Sequence, residues 1–178
     1  GNGQVDDGIP PDLIINGSQS SFYGQLNLAD GAWVKIISDG TTLFGNEAAH
    51  NDVKVSKNSV LTITSIGDAD GSFYGVFRNG EDGRGGTVEI SFADETKQFR
   101  FATGQAEAHF NGRFVINQGT VNFDHLLTSS SDETSTLADA TLELAGNTAH
   151  AILSASDTTT STDSHLGGLV MNGGHIEF

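Results

Sequence analysis

The stretch GDADG, Gly67–Gly71, sets two carboxylates, Asp68 and Asp70, at alternate positions, as the opening of a calcium-binding loop does. The remainder of such a loop is missing, because its twelfth position, counted from Asp68, is Asn79 where a bidentate Glu is required. An Asp-Gly turn is the expected reading, and cation binding by Asp68 and Asp70 stays open as the alternative. Six histidines, at positions 50, 109, 125, 150, 165 and 175, fall at neither HxxxH nor HExxH spacing, so exposed or strand-edge positions are expected for them. The adjacent acids Asp94 with Glu95, and Asp132 with Glu133, suggest acid–base work on a polysaccharide. Neighbours on a strand point to opposite sides, however, so neither pair converges by itself. A GxSxG elbow is absent, and GDADG is the nearest text to a GDSG nucleophile phrase. With no cysteine there is no thiol nucleophile, zinc–thiolate site or disulfide. The expectation is a non-enzymatic chain with no catalytic, cofactor-binding or metal set.

Composition bounds the partners. The chain has 178 residues, 23 acidic against 8 basic side chains and a net charge of −15, so phosphate backbones and anionic membranes repel it. Solubility is the plain reason for such a charge; divalent cations and cationic ligands are the sharper ones. Hydrophobic content of 36% is low and 23 glycines are many, yet alternating β-branched and aromatic runs argue for a packed fold. No apolar run approaches ~18 residues and no signal-peptide pattern is present. Starting at GNGQVDDG and stopping at HIEF within a strand-like pattern, the chain reads as one segment, residues 1–178, of something longer.

About a dozen strand-like runs of three to six residues must position any such groups, among them AWVKII, DVKVS, SVLTITSI, TVEISF, QFRF, GRFVIN, TLEL and HIEF. The Asn-Gly pairs at 16–17, 79–80, 111–112 and 172–173 are individually hairpin signals and keep an antiparallel sandwich in view. The order of the phrases favours another fold. Phe22, Phe73, Phe110 and Leu166 each open an apolar residue, a glycine, an apolar run, an Asn/Gly/Asp turn and a second alternating run. A weaker copy starts at Leu137, and the long first gap accommodates an extra copy. A unit of roughly 20–30 residues that cannot bury its own apolar face buries it against the next copy, which predicts an all-β parallel β-helix of roughly seven turns. Interior positions are expected among Leu26, Leu28, Val60, Ile63, Val88, Ile90, Val115, Val121, Phe123, Leu142, Leu144 and Ile176, with the register unfixed. The aromatics Phe22, Tyr23, Trp33, Phe73 and Tyr74 are expected in the core or a cap, with a sugar-stacking face as the alternative. NGEDGRGG (Asn79–Gly86) reads as an omega-type or bulging loop, and the Ser/Thr-rich runs Leu126–Asp139 and Ser154–His165 as protruding loops.

GRFVINQGTVNF, LGGLVMNGGHIEF and TLELAGNTAHAIL resemble the passenger region of bacterial autotransporters of the adhesive and self-associating types. The resemblance implies a right-handed, single-stranded parallel β-helix, secreted through an outer-membrane barrel of the parent protein and displayed at the cell surface. It also implies adhesion, aggregation or biofilm formation through a protein or glycan receptor on a host or neighbouring cell, with self-association, and a C-terminal section that seeds folding during secretion. The alternative is a carbohydrate-active β-helix, a polysaccharide lyase or tailspike-like module.

Overall fold

Short alternating runs present one apolar face each, and that face needs a partner from another pass of the chain. The structure, a computed structural model, describes residues 10–16, 24–38, 42–43, 45–46, 49–65, 70–92, 94–101, 110–124, 137, 139–154 and 166–178. Among them are seventeen strands and no helix. The chain passes through β1 (Leu13–Asn16), β2 (Leu26–Leu28), β3 (Trp33–Ser38) and β4 (Thr42–Leu43), then the small pair β5 (Gly45–Asn46) and β6 (Ala49–His50). It continues through β7 (Asp52–Val55), β8 (Val60–Ser65), β9 (Gly71–Phe73), β10 (Val76–Asn79), β11 (Thr87–Phe92) and β12 (Gln98–Phe101). The last elements are β13 (Arg113–Asp124), β14 (Thr141–Leu144), β15 (Ala149–Ser154), β16 (Gly168–Met171) and β17 (His175–Glu177).

Among these strands every pairing but one is parallel, the exception being β5 with β6. Three faces result. The first stacks β1, β3, β8, β11, the first half of β13, β14 and β16. The second stacks β2, β7 and β10. The third stacks β4, β9, β12, the second half of β13, β15 and β17. On the first face Leu13, Val34, Leu61, Val88, Phe114, Leu142 and Leu169 lie in register, at sequence steps of 21, 27, 27, 26, 28 and 27. Each step is one circuit of a β-solenoid, so the expected parallel β-helix is the fold.

The register decides which residues line the interior. Ile36, Ile63, Ile90, Ile116 and Leu144 form one fully buried column. Phe73, Phe101 and Phe123 form another on the third face, and Phe77, Phe110 and Phe114 fill the space beside it, with ring centroids 5.0–6.0 Å apart. Offset and edge-to-face packing at these distances suits the quadrupoles of the rings. Two expected interior residues lie on outward columns instead, Val60 partly exposed and Val115 buried there at 8% exposure. Val60 stands in register with Trp33 and Thr87, and Val115 with Glu89 and Glu143. Both are the odd members of runs whose inward residues are one position away, and the period of two fixes their side.

The Asn-Gly pairs at 79–80, 111–112 and 172–173 are solenoid corners rather than hairpin turns. Gly17 of the pair at 16–17 lies outside the described residues. Before the first face the corner carries a column of small residues: Ala32, Ser59, Gly86, Gly112, Ala140 and Gly167. Its backbone is stitched rung to rung, Val60 N donating to Ala32 O (2.9 Å), Thr87 N to Ser59 O (3.0 Å) and Arg113 N to Gly86 O (3.0 Å). A Cβ on Gly112 would meet the Gly86 carbonyl oxygen and the Phe110 ring, so the close stacking of corners requires glycine there. This is the physical content of the repeated phrase: an apolar residue inside, a small residue at the bend, and an alternating strand beyond it.

Candidate functional site

Stacking redistributes the residues that the sequence singles out. Asp70 Oδ1 accepts the backbone N–H of Gln98 (2.9 Å), one circuit away, so this carboxylate anchors a strand start. Asp68 lies outside the described residues, as do His109, His125, His165, Asp132, Glu133, Phe22, Tyr23 and most of the two Ser/Thr-rich runs. Asp94 closes a short turn on itself, accepting from Thr96 N (2.8 Å) and Thr96 Oγ1 (2.7 Å), and these bonds, with Lys97 nearby, hold its pKa below the usual carboxylate value. Phe73 and Tyr74 are buried, as a core or cap position requires, and half-buried Trp33 donates its indole N–H to Thr62 Oγ1 (3.0 Å). No group of three or more His, Asp or Glu side chains among the described residues is arranged to hold a metal ion.

Two juxtapositions were not visible in the sequence. His150 and His175, 25 positions apart, are register partners with ring centroids 4.9 Å apart. His150 also lies within 3.4 Å of Thr120 Oγ1 and 3.6 Å of Glu177 Oε2. The circuit length was the missing signal, since residues one circuit apart become neighbours. On the first face the outward column Thr62, Glu89, Val115, Glu143 brings two acids from separate circuits into line. Glu143 pairs with Arg113 and accepts from Asn172 Nδ2 (3.1 Å). Glu89 is only 8% exposed, and burial raises its pKa against the smaller pull of Arg113. Val115 separates the two acids along the column, and Glu89 is withdrawn from solvent.

Among the described residues a cleft of about 510 Å³ lies at the corner joining the second and first faces. Its origin is a difference in corner length. Four residues, 29–32, connect β2 to β3, and four, 56–59, connect β7 to β8, but seven, 80–86, connect β10 to β11. The extra residues stand out as a wall, which is the bulging loop that NGEDGRGG predicts. The loop is closed by Gly80 N donating to Arg84 O (3.0 Å) and Gly83 N to Gly80 O (3.0 Å), with Gly83 at φ 74°. Asn111 of the next circuit braces it: its Nδ2 donates to Gly83 O (2.9 Å), and its Oδ1 accepts from Gly85 N (2.7 Å). A wall held from behind in this way is preorganised.

Polar groups of both kinds surround the cleft: Asn27, Asp30, Lys54, Lys57, Glu81 and Asp82, over a lining that includes Leu28 and Ala29. Lys54 stands between Asn27 and Arg78 in the outward column of the second face, and Arg78 is engaged with Asp52 (2.7 Å). Neither Lys54 nor Lys57 has an ion-pair partner among the described residues. No protein-family model matches this chain, and no curated protein or solved structure matches it.

Proposed function

We propose that the chain is a non-enzymatic segment of a cell-surface β-solenoid of the autotransporter-passenger kind, serving as a stalk that carries contacts for a receptor. The observation that carries this reading is the division of labour between interior and corner. The inward columns run unbroken from circuit to circuit, while the differences in length and charge between circuits lie at the corners. A rigid stack with variable corners suits recognition, because loops held by a scaffold present contacts at little ordering cost. Missing cysteines and the acidic composition fit secretion and solubility outside the cell. In this reading the parent protein passes an outer-membrane barrel, the displayed segment meets a protein or glycan on a host or neighbouring cell, and each emerging circuit adds to the last. Apolar burial at roughly 25 cal/mol per Å² then opposes backsliding.

Coating beads with the 178-residue chain tests the reading. Coated beads are expected to attach to cells or to one another, and beads that stay dispersed and unattached overturn it. Incubation with acidic polysaccharides tests the non-enzymatic part, which shortening of the polymer would overturn. Cooperative refolding after denaturant removal is expected of a folding seed, and failure to refold would remove that role.

A further inference from the structure

We infer that the corner cleft is a binding site for a short, neutral oligosaccharide, held through its hydroxyl groups. The inference rests on the stalk reading for its biological setting and on the cleft alone for its chemistry. Sugar hydroxyls both donate and accept, and the cleft offers both complements at close quarters. Lys54, Lys57 and the Asn27 amide donate; Asp30, Glu81, Asp82 and the Asn27 carbonyl accept. Exposed Ala29 gives the C–H face of a sugar ring a small aliphatic patch, while Leu28 contributes backbone only, its side chain being buried in the core. At about 510 Å³ the cleft lies in the size range of small-molecule sites.

Charge and geometry argue against other ligands. A polyanion would meet three carboxylates with two ammonium groups, in a chain of net charge −15. A lone cation would find ammonium groups among the carboxylates, and no three-ligand cluster exists among the described residues. A hydroxyl-rich neutral molecule uses both signs.

The three extra corner residues make a direct test possible. Deleting Glu81, Asp82 and Gly83 returns this corner to the four-residue length of the two corners preceding it, so the wall is removed while the stack is kept. Amide resonances of the full chain are followed by NMR during titration with cellotriose, maltotriose and N,N′,N″-triacetylchitotriose, with tri-galacturonate as the charged comparison. At least one neutral trisaccharide is expected to give saturable shifts at residues 27–30, 54–57 and 80–84. The deletion is expected to abolish them. The double variant Lys54→Ala, Lys57→Ala is expected to weaken binding by about tenfold, the loss of roughly two modest hydrogen bonds. These lysines are solvent-facing, so that variant keeps the fold and the test if the deletion does not. Absence of shifts with all neutral sugars, shifts elsewhere on the molecule, or a preference for tri-galacturonate would each overturn the inference. Bead attachment is read separately: beads that adhere while no sugar binds sink the cleft assignment alone, and sugar binding without adhesion sinks the stalk reading alone.

Discussion

At the scale of single residues, two side chains carry a visible cost. Glu89 lies on an outward column yet is 8% exposed, and its pKa is raised by desolvation. A carboxyl with a folded pKa above its unfolded value releases its proton sooner in the unfolded chain, so its contribution to stability falls as pH rises through that interval. Glu89→Gln is therefore expected to raise the melting temperature at pH 7. The advantage should shrink on acidification and vanish below the ordinary carboxylate range, which thermal melts between pH 3 and pH 7 would show. Asn58 is the other case. It sits at φ 60°, the left-handed region, and its Nδ2 donates to Asp30 Oδ1 (3.0 Å) across one circuit. Asn58→Ala is expected to cost about 1–2 kcal/mol, from the disfavoured backbone conformation and the lost bond. Asn58→Gly removes the bond but tolerates the backbone, so urea denaturation should find it the milder of the two.

At the scale of elements, corners and columns respond differently to substitution. Phe101 touches Phe73, Phe77, Phe99, Phe114 and Phe123, so Phe101→Ala is expected to cost about 3–5 kcal/mol as an unfilled cavity. Gly112→Ala adds one methyl against the Gly86 carbonyl oxygen and the Phe110 ring. It is expected to cost about 1–3 kcal/mol by forcing the corner stack apart, the opposite failure from a cavity, and both are measurable by denaturant unfolding. Strand positions were legible in the sequence because the period of two is written locally: QFRF, TVEISF and TLEL are all strands. Register was not legible, because it depends on circuit length, which loops such as NGEDGRGG alter. Val60 and Val115 lie on outward columns because the period of two turns their neighbours inward, whereas the His150–His175 contact and the Glu89–Glu143 column were invisible because register was. The corner loop was legible as a bulge, but its cleft was not, since the cleft exists only by comparison with the shorter corners stacked beside it.

At the scale of the whole 178-residue chain, the first and last described circuits differ from those between them. The exposed large hydrophobic residues are Leu13 and Ile14 on β1, Leu169, Val170 and Met171 on β16, and Phe178 after β17. Leu169 and Met171 are 45% and 48% exposed, yet they continue the columns of Leu142 and Leu144, both fully buried. Likewise Leu13, 46% exposed, continues the column of Val34. Such an edge offers apolar side chains together with unpaired backbone groups, the combination that recruits another strand. In the 178-residue chain taken alone, the outermost described strands are different edges of the same repeat, so joining them is a heterologous contact that does not close. Concentration-dependent association is therefore expected, and solution scattering should show length increasing at constant cross-section. Leu169→Lys with Met171→Lys is expected to hold the chain monomeric while changing its unfolding midpoint little, since both side chains already face water. Association with growing cross-section would instead place the contact on the lateral faces, and a double variant that still elongates would clear the β16 edge of responsibility.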